Sequence, residues 1–145
     1  MEFVTSKYDK MFGEAMVEVR HLGQSFFGYA NAHPEEKNPS EYAGCQYAEI
    51  RAEIEALKYE RSLAKAKSDA ALEFVRRCAD RKEFNKEDPT AKAMYKELNT
   101  EIKIVNRLTD EINKRLEDLH RLPARREVVL NAMEAKHADK DKQSV

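Results

Sequence analysis

The clearest pattern in this chain is a run of apolar residues at alternating three- and four-residue spacing between positions 98 and 119. The run consists of Leu98, Ile102, Val105, Thr109, Ile112, Leu116 and Leu119. Charged side chains occupy most of the positions between them. This spacing places one apolar seam along a helix and is typical of a coiled coil. We therefore predict a long helix whose seam faces another helix, with Val105 and Ile112 as candidate partner-binding residues.

A second stretch, between residues 47 and 78, follows the same spacing less regularly. Its seam begins with Tyr47, Ile50, Ile54 and Leu57, and a separate apolar edge contains Leu63, Leu72 and Phe74. A helix with two apolar edges is expected to contact two neighbours. One neighbour is the helix described above, with which this stretch should form an antiparallel hairpin. The other edge, including Leu72 and Phe74, predicts a surface for a partner.

The N-terminal region differs because it is rich in aromatic residues, whereas no aromatic residue follows Tyr95. Its apolar positions include Met11, Phe12, Ala15, Met16, Val19, Leu22 and Phe26, and they cover more than one narrow stripe of a helix. A wide stripe indicates more than one packing neighbour. We interpret this region as a helix about half as long as the other two, with Phe26 and Phe27 as candidate partner-binding residues.

Prolines and capping residues set the predicted helix ends. Asn38-Pro39-Ser40-Glu41 has the pattern of a capping residue, a proline at the first helical position and a capping-box glutamate, and Asp88-Pro89 repeats part of it. We predict helices over about 6–32, 39–85 and 89–137. Residues 1–138 then form one domain, followed by a polar tail at 139–145. The predicted fold is all-α: an elongated three-helix bundle in which a long antiparallel coiled-coil hairpin carries the N-terminal helix on its base.

Pro123 interrupts the third predicted helix within a basic cluster of Arg121, Arg125 and Arg126. Leu122 is a poor helix cap, and the heptad register continues through the proline without a gained or lost residue. We therefore expect one kinked helix, with a short break near Leu122 as the alternative. The cluster is predicted to pair with acidic residues near the start of the second helix, or else to form an exposed basic patch.

Composition and charge narrow the classes of function. Charged residues make up 37% of the chain, which has no tryptophan and a formal net charge of -1, and no segment is basic enough to indicate nucleic-acid binding. Two cysteines without metal-ligand spacing favour a reducing intracellular compartment, with the cytoplasm preferred. We found no apolar run of membrane-spanning length and no recognisable targeting segment.

Candidate catalytic and metal-binding groups do not form a recognisable set. The four histidines are dispersed, and the carboxylate pair Glu49 and Glu53 lacks the histidine partner of a di-iron site. Cys78 falls on the seam and should be a small buried group rather than a nucleophile. The four glycines lack the spacing of a phosphate-binding loop, and those in the predicted N-terminal helix are expected to be close-packing points. We therefore predict no enzymatic activity, no metal and no cofactor.

These observations favour a non-catalytic structural or scaffolding subunit that binds partner helices within a larger assembly. The predicted partners are other helical proteins or a second copy, and not nucleic acid. The main alternative is a homodimeric helical rod that binds or bends membranes through basic residues, which makes a membrane surface the less favoured partner. An enzyme whose site is completed by another chain is a more distant alternative.

Overall fold

The computed structural model contains three β-strands followed by two long α-helices. It describes the backbone of residues 1–31, 41–81 and 85–143 and the side chains of 1–31, 41–81 and 85–121. The strands are β1 (Glu2–Asp9), β2 (Glu14–His21) and β3 (Gln24–Asn31). The helices are α1 (Glu41–Ala79) and α2 (Pro89–Gln143). The predicted all-α three-helix bundle is therefore wrong, because the region interpreted as a helix over 6–32 is an antiparallel sheet.

The three strands form a meander in the order β1-β2-β3, with β2 in the centre. Two facts explain why this region is not helical. Ala15, Val17 and Val19 alternate with polar residues or Met16 along β2, so one face is buried and the other is half-exposed or exposed. A helix here would also include Gly13, Gly23 and Gly28, and each glycine would cost it about 1 kcal/mol relative to alanine.

The turn between β2 and β3 fixes the register of that hairpin. His21 pairs with Gln24, which leaves a two-residue loop of Leu22 and Gly23. Both loop residues have positive φ, 52° for Leu22 and 75° for Gly23. A two-residue loop with this backbone matches the twist of antiparallel strands. The apolar spacing that included Leu22 in a helix thus belongs to a tight turn instead.

One face of the sheet packs against α1 at very short range. Along α1, Gly44, Ala48, Ala52 and Ala56 recur every four residues, and the last three are fully buried. A Cβ atom at Gly28 of β3 would overlap the carbonyl oxygen of Ala48 and lie 2.5 Å from the amide nitrogen of Ala52. Gly28 therefore allows the backbones of strand and helix to approach each other. The prediction that glycines are close-packing points applies to Gly28, although this residue lies in a strand.

The opposite face of α1 packs against α2 in an antiparallel hairpin, as the sequence predicts for these two helices. Buried residues of this core are Ile54, Leu57, Ala64, Leu108 and Ile112, with Ile50, Ile104, Val105 and Leu119 packed around them. The predicted seam is only partly correct: Ile102 and Leu116 are 40% and 39% exposed, whereas Leu108, which the seam omitted, is fully buried. The α1 helix is thus the middle layer, with the sheet on one side and α2 on the other.

The helix ends differ from the predictions by several residues. The α1 helix ends at Ala79 rather than near residue 85, and the predicted cap at residues 38–40 lies outside the described residues. At the start of α2 the prediction is confirmed, because the carboxylate of Asp88 accepts a hydrogen bond from the amide of Thr90 at 2.9 Å. The α2 helix continues through Pro123 to Gln143 without an interhelical break.

The contact at Gly28 generates a test of the sheet–helix packing. We expect Gly28→Ala to destabilise the protein by about 3 kcal/mol or more, since the new methyl group overlaps helix backbone that has little room to move. Asn31→Ala, at an exposed position of the same strand, should cost less than about 0.5 kcal/mol. Chemical unfolding followed by circular dichroism measures both. Equal stability of the two variants would show that the strand does not approach the helix this closely.

The revised seam of the hairpin generates a second test. Leu108→Ala should cost about 2 to 5 kcal/mol because it leaves a cavity in a fully buried site. Leu116→Ala removes the same atoms from a side chain that is 39% exposed and should cost clearly less. Thermal unfolding of the two variants compares them directly. A larger loss for Leu116→Ala would instead support the register predicted from the heptad spacing.

Candidate interaction surface

The surface of interest is the part of α1 that the sheet leaves uncovered. The sheet extends along α1 to Tyr59 and Glu60, where the Phe26 and Tyr59 rings are 5.4 Å apart and His21 Nε2 lies 2.7 Å from a Glu60 carboxylate oxygen. Beyond Glu60, the same side of the helix continues as Leu63, Ala66, Ala70 and Phe74. We call these four residues the distal face. It continues the stripe that ends at Ala56.

The distal face is apolar and open to solvent. Leu63 is 43% exposed and Phe74 is 59% exposed, and Ala66 and Ala70 are exposed between them. A single exposed leucine or phenylalanine is common on protein surfaces, but here two large apolar groups and two alanines share one side of one helix. The corresponding positions of the first half of α1 are buried under the sheet. The distal face therefore resembles a packing surface that lacks its second layer.

A groove beside the distal face extends this surface onto α2. It has a volume of about 330 Å³ and is lined by Lys67, Ala70, Ala71, Phe74 and Val75 of α1 and by Met94, Glu97 and Glu101 of α2. Its wall on α1 carries a cation at Lys67, and its wall on α2 carries two carboxylates. A groove between two antiparallel helices can accommodate a third helix. Its floor is apolar, and its two walls have opposite charge.

The residues that the sequence predicted as partner-binding are placed in three different environments. Ile112 is 3% exposed in the core between the helices, and Val105 packs against the same core. Phe26 contacts Tyr59 under the sheet, and Leu72 is half-buried. Phe74 belongs to the distal face, whereas Phe27 is 42% exposed on the side of the sheet that faces away from α1. The structure thus brings only Phe74 into the candidate surface.

The distal face also contains residues that the sequence analysis did not select. Ala66 and Ala70 were not considered as contact residues, although their four-residue interval repeats that of Ala48, Ala52 and Ala56 on the same side of α1. This spacing was visible in the sequence. Its meaning depends on what covers each half of α1, which the spacing alone does not show.

The outer side of the sheet is a second exposed surface, and its charge is mixed. Phe27 and Tyr29 of β3 are 42% and 59% exposed, and Met16 lies opposite Tyr29 on β2. Glu18, which pairs with Phe27, accepts a hydrogen bond from the Ser25 hydroxyl at 2.9 Å. A guanidinium nitrogen of Arg51 donates to the carbonyl oxygen of Tyr29 at 2.5 Å, so this edge group of β3 is satisfied within the chain.

The basic cluster near Pro123 is only partly described. Arg121 is exposed and forms an ion pair of 3.8 Å with Glu117 of its own helix. The side chains of Arg125 and Arg126 lie outside the described residues. Of the acidic residues predicted to face this cluster, Glu53 accepts a hydrogen bond from Arg115 at 2.9 Å and Glu55 pairs with Lys58. Arg115 thus forms an ion pair with an acidic residue of α1, which the sequence analysis had predicted for the basic cluster.

One edge of α1 between the sheet and α2 carries the carboxylates of Glu49, Glu53 and Glu60. Burial, and secondarily the neighbouring Glu53, raises the pKa of Glu49 above its ordinary value of 4.5. Burial also raises the pKa of the nearby Cys45 thiol, with further contributions from Glu41 and Glu49. A raised pKa makes Cys45 a weaker nucleophile at neutral pH. Within the described part of the chain, no three histidine, cysteine or acidic side chains are grouped to hold a metal ion.

The comparisons with known proteins add no family. No protein-family profile, no curated protein and no solved structure matches the chain. In the part of the chain that the structure describes, no helix combines the length and apolar character needed to cross a membrane.

The raised pKa of Glu49 generates a pH-dependent prediction. Because folding favours the protonated carboxyl, the ionised form at neutral pH opposes folding, and Glu49→Gln should raise the melting temperature at pH 7. The gain should be present above the raised pKa and should vanish as the pH falls below the ordinary value of 4.5, where Glu49 is protonated in both states. Melting curves between pH 3 and pH 7 measure this difference.

Asp110→Asn provides the control, because it removes one negative charge from an exposed position of α2. Its melting temperature should differ from that of the parent protein by much less at pH 7. If Glu49→Gln lowered the melting temperature at pH 7, the carboxylate would be stabilising in the folded chain and the stated direction of its pKa would be wrong.

Proposed function

We propose that the protein is a non-catalytic scaffolding subunit that binds a partner helix along the distal face and its groove. The observation that carries the proposal is the exposure of Phe74, which is 59%, at the edge of a groove between two helices. Burial of a phenylalanine side chain contributes about 1.5 to 3 kcal/mol, so an aromatic group in this position is a suitable anchor for a complex.

The layered architecture supports this function. The sheet covers one side of α1 as far as Glu60, and the same side then continues without cover. A helix placed on the distal face would occupy the layer that the sheet occupies in the first half of α1. Ala66 and Ala70 permit a short distance between the helix axes, and Leu63 and Phe74 supply apolar area at the two ends. The partner helix would contact Met94 on α2 across the groove.

Charge adds specificity to the proposed contact. Lys67 stands on one wall of the groove, and Glu97 and Glu101 stand on the other. A partner helix with an apolar stripe, an acidic edge towards Lys67 and a basic edge towards the glutamates would match both walls. Complementary charges at the rim of an interface affect the association rate and the choice of partner more than the affinity.

Membrane binding through basic residues is a weaker proposal for the described surface. Two of the exposed arginines have acidic neighbours in their own helices: Arg77 lies 2.8 Å from Glu73, and Arg121 lies 3.8 Å from Glu117. These pairs offset the positive charge that an anionic membrane would attract. We therefore favour a helical protein as the partner.

Site-specific photo-crosslinking tests the proposal. Phe74 is replaced by a photoreactive phenylalanine analogue in the full chain, and the protein is irradiated in an extract of the cells that produce it. We expect adducts at position 74 on the apolar stripe of a single helical segment, identified by mass spectrometry of the linked peptides. The same analogue at Lys103, which is exposed on α2, is the control and should give no such adduct.

A second variant distinguishes specific binding from nonspecific association. Ala70→Lys places a long charged side chain in the middle of the distal face, and it should reduce the adduct at position 74 by about tenfold or more. Circular dichroism verifies that this variant is folded. Adducts scattered over many unrelated segments, or an adduct at 74 that Ala70→Lys leaves unchanged, would contradict a helix-binding groove.

A further inference from the structure

We infer that the helix bound at the distal face is α1 of a second copy, which packs antiparallel to the first about a two-fold axis near Ala70. The inference rests on the proposed function of the distal face and specifies its partner. The size pattern of the face, the position of the sheet and the charges of the groove support it independently.

The side chains on the two sides of Ala70 differ in size in a way that suits antiparallel packing. Ala66 and Phe74 lie four residues before and after Ala70, so a two-fold axis near Ala70 pairs a small side chain with a large one, while Leu63 comes to the level of Arg77. Antiparallel packing centred near Ala70 places Phe74 of each copy over Ala66 of the other. Phe74 of each copy then fills the space that Ala66 of the other leaves, as close packing requires. A two-fold axis makes this contact twice.

The sheet determines the direction of the pairing. It lies on the same side of α1 as the distal face, and it ends at Glu60. In a parallel pair, the two sheets would meet between the helices and hold the axes far apart, because a packed sheet adds a layer about 10 Å thick. In an antiparallel pair, each sheet lies beyond the end of the other hairpin. Only the antiparallel arrangement lets the two distal faces touch.

The length of the uncovered segment agrees with this arrangement. Residues 61–79 of α1 lie between the end of the sheet and the end of the helix, and they span about 28 Å at 1.5 Å per residue. Centred near Ala70, the second copy covers this segment over its whole length, and the end of its α1 helix at Ala79 reaches the edge of the first sheet. The sheet therefore limits how far the two hairpins overlap.

The charges of the groove match in the same arrangement. Rotation about the two-fold axis brings Lys67 of one copy towards the level of Phe74 of the other, where Glu97 lies across the groove. Glu101 lies one turn further along the same wall. Lys67 of each copy thus faces two carboxylates of its partner, and the contact occurs twice.

Sedimentation of the purified full chain tests the inference. We expect a species of two 16.8-kDa copies at micromolar concentration. Ala70→Glu places two carboxylates together at the two-fold axis and should weaken the dimer by about tenfold or more. Ala93→Glu makes the same change at an exposed alanine of α2 that does not line the groove, and it should leave the dimer intact.

A charge-reversal pair tests the proposed orientation. Lys67→Glu should weaken the dimer, and combination with Glu97→Lys in the same chain should restore much of the loss, because each new glutamate then faces a new lysine. Circular dichroism verifies that every variant keeps its helix content. A parent protein that stays monomeric, a dimer that Ala70→Glu leaves unaffected, or a double variant no tighter than Lys67→Glu alone would each overturn the inference.

The outcomes for the second copy and for another protein are distinct. A monomeric parent protein whose position 74 crosslinks to a helix of a different protein would refute the self-pairing and leave the scaffolding function supported. A monomeric parent protein without any specific adduct at position 74 would refute both.

Discussion

The close approach of β3 to α1 at Gly28 is the contact on which the rest of this structure depends. A side chain at Gly28 would overlap the backbone of Ala48, so the strand and the helix touch backbone to backbone. Ala48, Ala52 and Ala56 are fully buried in this contact because only small side chains fit between the two elements. With this side of α1 occupied by the sheet, its larger residues Ile54 and Leu57 are directed to the opposite side, where α2 packs.

This division of α1 into two faces also defines the candidate site. The small-residue face is covered over the first half of the helix by the sheet, and small residues return on the same side at Ala66 and Ala70, where they are exposed. The end of the sheet at Glu60, rather than any change in the helix, determines where the exposed surface begins. The sheet of three eight-residue strands thus sets how much of this side of α1 is left uncovered.

Charged side chains contribute less than the apolar contacts to the packing of the sheet, α1 and α2. Arg115 bonds to Glu53 across the two helices, and the Glu60 carboxylate lies between His21 of the sheet and Arg107 of α2. These side chains are partly exposed, so each pair adds little free energy. These pairs mainly help to fix the relative positions of the elements, because each pair joins a particular residue of one element to a particular residue of another. Burial, and secondarily the neighbouring Glu53, raises the pKa of Glu49, so its ionised form opposes folding at neutral pH.

The sequence alone determined the helical hairpin. Heptad-like spacing, the Asp88-Pro89 start signal and a short connection were sufficient to predict two long antiparallel helices, since these signals are local. Phe74 was predicted as a candidate partner residue from its place on a second apolar edge, and the structure exposes it. The sequence also contained the evidence for strands, namely the alternation of Ala15, Val17 and Val19 and the glycine-containing turn at Leu22 and Gly23. The same apolar residues fit a helical spacing, however, and local pattern could not decide between the two.

Only the tertiary structure decided which half of α1 is covered. Ala48 and Ala70 have the same residue type and belong to one helical stripe, yet one is buried under Gly28 and the other is exposed. Tertiary packing also determines which residues of α2 form the hairpin seam. Leu108 is buried, and Ile102 and Leu116 of the predicted seam are exposed, because α2 must contact the side of α1 that the sheet leaves free. A periodic sequence specifies that a helix has faces. The element that covers each face, and how far it extends, depends on contacts between residues distant in the chain.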